Sequence, residues 1–173
     1  MGLNAVVISR GVSVKELPSI AKAVARGAFM GLGRGVGSVD YTLVHEELIE
    51  EFVVAVKAAT IELYGTDATN SRDYGSMVDH AELDELLGLL RDEFAAGTGR
   101  IVHGGPSGGK GLLPPTIIEG ISRYFICKSS FLETQTLPCR SSKLMQASAN
   151  KGPILPVLPF SSLEDALSVL LKQ

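Results

Sequence analysis

The stretch DYTLVHEELIEEFVVAVKAATIELYG, Asp40 to Gly65, decides how the rest of the chain is read. Tyr41-Thr42-Leu43-Val44 is rich in aromatic and β-branched residues and reads as a strand. From Glu46 the apolar residues Leu48, Ile49, Phe52, Val53, Val56 and Leu63 recur at helical spacing, and Gly65 supplies a stop. A strand that runs directly into an amphipathic helix is the unit from which α/β sheets are built. Towards the N-terminus, Ala5 to Ile8 reads as a second strand. Ser13 and Glu16 have capping-box spacing, which predicts a helix through Leu17, Ile20, Ala21, Val24 and Ala28 with Pro18 in its first turn. The glycines Gly31, Gly33, Gly35 and Gly37 end that helix in a tight connection.

Towards the C-terminus an acidic helix carries Leu83, Leu86, Leu87, Leu90 and Phe94 on one side and stops at Gly97. Strands at Ile101 to His103, Thr116 to Ile118 and Ile154 to Leu158 follow, with a last helix from Leu163 to Leu171. The alternation predicts an α/β domain with a largely parallel sheet flanked by helices. Gly120 to Lys151 breaks the pattern. Its six serines, both cysteines and five basic residues against one acidic residue show no period, and about 120–150 reads as an insertion or irregular loop.

Composition narrows the functional classes. The chain has 173 residues, 45% hydrophobic and 20% charged, with a net charge of −3, which suits one soluble globular domain. No run approaches the roughly 18 apolar residues of a membrane span, and a leader pattern is missing, so a cytoplasmic protein without a membrane anchor is expected. Cys127 and Cys139 are too few for a disulfide framework and form no zinc motif. From Glu46 to Glu93 there are 13 acidic and 3 basic residues, which argues against a nucleic-acid partner on that face.

Several motifs invite a chemical reading and have plainer ones. Gly31 to Gly37 does not match GxGxxG and follows a helix, where a dinucleotide loop follows a strand and opens a helix. Gly104 to Lys110 matches GxxxxGK, but Gly111 stands where a magnesium-binding hydroxyl is needed, and Pro114-Pro115 blocks the helix start. His45, His80 and His103 read as a helix entry, a helix first turn and a strand end, so no metal site is expected. Cys127 and Cys139 are possible nucleophiles lying in the irregular stretch. Glu46-Glu47 and Glu50-Glu51 read as the solvated start of a helix, favoured there by its dipole.

Six landmarks in order carry a family resemblance. They are Ala28-Phe29-Met30, Asp40-Tyr41-Thr42-Leu43-Val44-His45-Glu46-Glu47, Asp73-Tyr74-Gly75-Ser76-Met77-Val78, Gly99-Arg100-Ile101-Val102-His103-Gly104-Gly105, Pro114-Pro115-Thr116 and Gly152-Pro153-Ile154-Leu155-Pro156-Val157. Together they resemble the catalytic domain of aldehyde dehydrogenases, most closely the class 3 or fatty-aldehyde branch. The resemblance implies an oxidoreductase that converts an aldehyde to a carboxylic acid with NAD or NADP. In that chemistry a cysteine thiolate adds to the carbonyl, hydride leaves to the nicotinamide, and a glutamate activates water against the thioester.

Aligned on this sequence, the same resemblance implies losses. Between Phe29-Met30 and Asp40-Tyr41 the family's Gly-Gln-Thr-Cys string falls without a gap on Gly33-Arg34-Gly35-Val36, so the nucleophile position is occupied by Val36. The general-base glutamate belongs to a Glu-Leu-Gly-Gly string whose last glycine is Gly2. Counted back from Gly152-Pro153, Ala149 holds the place of the ribose-binding glutamate and Lys151 that of a phenylalanine. Residues 1–173 are therefore expected to be a partial, truncated catalytic domain whose coenzyme-binding domain is absent. No catalytic or cofactor-binding residue is expected to be intact, and neither NAD nor NADP is expected to bind this chain alone. The expectation is a pseudoenzyme. A binding or regulatory module that associates as a homo- or hetero-oligomer with aldehyde dehydrogenase subunits is the alternative, and a fragment or imperfect gene product is a third reading.

Overall fold

The computed structural model describes residues 4–75, 80–95, 99–106, 112–120 and 152–171. Cys127, Cys139, Ala149 and Lys151, and with them the irregular stretch read at about 120–150, lie outside the described residues, as does the Gly97 stop.

Five strands form one sheet in the order β1-β2-β5-β4-β3: β1 is Ala5–Ile8, β2 Tyr41–His45, β3 Arg100–His103, β4 Thr116–Glu119 and β5 Ile154–Phe160. The first four strands in that order run parallel, with Val6 beside Thr42, Leu43 beside Leu158 and Ile117 beside Leu155. Among the described residues only β3 is antiparallel, paired to β4 through an irregularity between Ile101 and His103. The largely parallel α/β architecture expected from the alternation is therefore present.

Every residue of β2 is buried, as a central parallel strand covered on both faces requires. The covering helices are α1 (Leu17–Phe29), α2 (Ile49–Tyr64), α3 (His80–Ala95) and α4 (Leu163–Leu170). Their buried residues, such as Ala21, Ala25 and Ala28 of α1 and Phe52, Val56 and Ala59 of α2, follow the helical period read from the sequence.

The start of α1 differs from the capping-box reading. The helix begins at Leu17, and Ser13 lies a turn earlier, in a bend closed by the Glu16 N–H donating to the Ser13 carbonyl. Only half of the box forms: the Glu16 carboxylate accepts from the Ser13 N–H at 3.0 Å. Pro18 is consistent with the later start: with Ser13 as N-cap it would stand in the helix interior without an N–H for the Val14 carbonyl, whereas in the first turn its missing N–H and fixed φ are tolerated. At the other end of the chain, Ser162 does cap α4, accepting from the Asp165 N–H at 3.2 Å.

Candidate functional site

The family landmarks meet around the connection from α1 to β2. After Phe29 the chain makes a 3-10 turn over Met30–Gly33 in which three successive residues have positive φ: Gly31 at 61°, Leu32 at 61° and Gly33 at 70°. Glycine adopts that conformation freely and leucine does not, so Leu32 is held there at a cost of about 1 kcal/mol or more. Its side chain is buried, at 9% exposure, against Gly75 of the Asp-Tyr-Gly landmark.

Gly33 touches a second landmark. A Cβ on it would stand 2.7 Å from the Gly152 carbonyl oxygen and 2.9 Å from that of Ala28. Gly152 is itself pressed by Leu86 of α3, whose Cδ1 would lie 2.5 Å from an added Cβ. The Tyr74 hydroxyl donates to the Leu113 carbonyl at 2.7 Å, and its ring meets Tyr64 edge-on. Burial pushes the Tyr74 phenol well up, so it stays a neutral donor. Gly33 is thus a point where main chains approach too closely for a larger residue, Gly152 has room for one only if Leu86 shifts, and Gly75 is in ordinary contact distance of Leu32.

The turn that follows is tied down by small polar groups. The buried Ser38 hydroxyl lies 2.9 Å from the Gly33 carbonyl and 2.7 Å from that of Gly35, and the Ser38 N–H also donates to Gly35. The Asn4 side-chain amide donates to the Val36 carbonyl at 3.0 Å. Asn4 and Asp40 close the base of the loop: the Asn4 N–H donates to the Asp40 carboxylate at 2.6 Å and the Asp40 N–H returns to the Asn4 carbonyl at 2.9 Å. Burial pushes the Asp40 carboxyl up from the usual carboxylate range, partly opposed by that Asn4 hydrogen bond. Arg34 forms an ion pair with Glu82 of α3. At the crest Val36 is 80% exposed, so its side chain projects outward while its carbonyl is held.

Sequence reasoning singled out Val36 and did not find Asn4, Ser38 or the left-handed Leu32. A serine in a glycine run carries only a weak signal of this kind, because its partners are main-chain carbonyls.

The other candidates stay apart. The His45 ring accepts from the Glu47 N–H at 3.3 Å where β2 gives way to the turn before α2, and packs edge-on against Phe160. His80 opens α3 and His103 ends β3. Among the described residues, no group of three His, Cys, Asp or Glu side chains could hold a metal. Glu46 and Glu47 form a 3-10 turn ahead of α2, with Glu50 and Glu51 in its first turn; Glu47 pairs with Arg10. Among the described residues no helix is long and apolar enough to cross a membrane.

Neither glycine-rich connection is built as a dinucleotide phosphate loop among the described residues. The glycine run follows the C-terminal end of α1, whose dipole repels phosphate. In the β3–β4 connection Gly105 spends its N–H on the buried Thr116 hydroxyl at 3.1 Å, and a Cβ on Gly104 would stand 2.2 Å from the Pro115 carbonyl oxygen. The Gly105 amide is thus spent inside the protein and is not available to a phosphate. Lys110 lies outside the described residues.

The profile of the aldehyde dehydrogenase family matches residues 2–127. The canine dimeric NADP-preferring aldehyde dehydrogenase is 26% identical over 155 residues, covering 90% of this chain and 29% of that protein. Rat aldehyde dehydrogenase family 3 member B1 is 25% identical over 153 residues, covering 88% of this chain and 28% of that protein. The substrate-bound structure of Staphylococcus aureus AldH superposes with a TM-score of 0.75 at 26% identity, covering 96% of this chain and 31% of that one. The chain spans less than a third of each of these relatives.

Proposed function

The chain belongs to the aldehyde dehydrogenase family, and from that premise we propose that it is a non-catalytic member, which keeps the scaffold of the nucleophile loop without the nucleophile. The observation that carries this is Val36, set at the exposed crest of a loop whose two ends are family landmarks. A valine side chain has neither a lone pair to add to a carbonyl nor a proton to release. The ionisable neighbours on the loop are engaged elsewhere, Arg34 with Glu82 and Asp40 with the Asn4 N–H. Ala149, counted to the place of the ribose-binding glutamate, offers no hydrogen-bond acceptor on its side chain, in keeping with a chain that does not bind NAD or NADP alone. On this reading residues 1–173 are part of a catalytic domain, placed in the cytoplasm.

A second reading is association with a complete family subunit. It is favoured by α4 and the residue after it, where Leu163, Leu167 and Leu171 form a stripe that is 68%, 43% and 80% exposed. Sedimentation of the purified chain tests this: self-association, or co-sedimentation with a family enzyme, is expected, and a monomer that ignores such an enzyme refutes it.

The test of the main reading is a titration of the purified chain with NAD(P)+ and a medium-chain aldehyde, in parallel with Val36→Cys. No NAD(P)H is expected from the unmodified chain. Its appearance would overturn the reading and move the nucleophile to Cys127 or Cys139.

A further inference from the structure

An open groove of about 540 Å³ lies on the far side of the domain's helical layer, between the bend before α1 and the outward side of α2. Val14 and Pro18 form one wall, and Val54, Ala55 and Ala58 form the floor on α2. Val14 is 54% exposed and Val54 69%, which is unusual for valines facing a concave surface. The charged residues lining the groove, Glu50, Glu51 and Glu62, are all acidic. Glu62 pairs with Lys22, whereas Glu50 and Glu51 have no partner among the described residues. They sit in the first turn of α2, where the helix dipole favours negative charge.

We propose that this groove docks a basic amphipathic helical segment of another protein, its apolar side on Val54 and Ala58 and a Lys or Arg over Glu50 and Glu51. The shape fits that occupant. The α2 residues that line the groove recur every three or four positions from Glu50 to Glu62, about 18 Å of helix axis, enough for roughly three turns of a partner helix. Charge selects against the chain's own most exposed apolar element, because the leucine stripe of α4 is accompanied by Glu164 and Asp165 and would bring acid against acid. The inference is independent of the proposal about Val36, since it uses none of the loop residues.

The probe is a fluorescein-labelled 14-residue Leu/Lys amphipathic peptide, with a twin in which every Lys is Glu, titrated with the full chain by anisotropy. The Lys peptide is expected to bind saturably, and the Glu peptide not at all. Glu50→Gln with Glu51→Gln should weaken binding by about fivefold or more, and Val54→Ser by a similar factor, the scale of a charge pair and of one buried apolar side chain. Glu85→Gln, on the exposed side of α3, should leave it unchanged. Absence of binding, equal binding of both peptides, or an equal effect of Glu85→Gln would overturn the proposal. So would a self-associated chain that Val54→Ser dissociates and the Lys peptide does not, because the occupant would then be a second copy.

Discussion

Replacing Gly33 by alanine tests whether the α1–β2 loop is held by its approach to Gly152. At φ 70° an L-residue costs about 1–2 kcal/mol. The new methyl would also stand 2.7 Å and 2.9 Å from two main-chain oxygens, contacts that only backbone movement can relieve. Overpacking of that kind adds about 1–3 kcal/mol, for a total near 2–5 kcal/mol, a large part of the 5–15 kcal/mol that holds a domain together. Gly31→Ala is the internal control. Its φ is 61°, yet nothing lies within 4 Å of the added methyl, so only the conformational cost of about 1–2 kcal/mol should appear. Urea denaturation followed by circular dichroism reads both. The account expects Gly33→Ala to lose at least about 1 kcal/mol more than Gly31→Ala; equal losses would refute the claim that Gly33 is a contact point.

Ser38→Ala removes the hydroxyl that reaches two carbonyls of the loop and should cost about 1–3 kcal/mol in the same assay. Tyr74→Phe leaves the Leu113 carbonyl without its donor and should lower the melting temperature by several degrees, in line with a loss of about 1–2 kcal/mol. Val36→Ser, at an exposed crest, should change stability by no more than about 0.5 kcal/mol. Burial, and then Lys57 nearby, hold the His103 imidazole below its usual value of 6.5 in the folded chain. The unfolded chain therefore binds the extra proton first, so stability is fully present above 6.5 and declines as the pH falls below it. His103→Gln should flatten a stability profile measured between pH 7 and 5.

The parts of the fold that were legible are those in which side-chain period and burial coincide. Tyr41 to His45 and the helix after them could be read because the same residues that favour strand or helix also form the core. The parallel sheet followed from alternation alone. The candidate site was legible in a different way. The family resemblance marked Val36, but the loop around it is shaped by main-chain acceptors, and Ser38, Asn4 and Asp40 show their roles only once residues distant in sequence are adjacent. Leu32 was invisible for the same reason: its positive φ contradicts leucine's local preference, and its side chain meets Gly75 only in the folded chain. Ser13 illustrates the opposite error. Its spacing to Glu16 satisfied a local rule, yet the helix starts past it, with Pro18 in the first turn.

The central claim is that the chain holds the family's loop without its nucleophile, and intact-mass spectrometry tests it most directly. The purified chain is incubated with aldehyde and NAD(P)+, quenched in acid, and mapped for acyl-thioester adducts. The account predicts no adduct on the unmodified chain. An acyl group on Cys127 or Cys139 that depends on NAD(P)+ would contradict it and make the chain an enzyme with a relocated thiol.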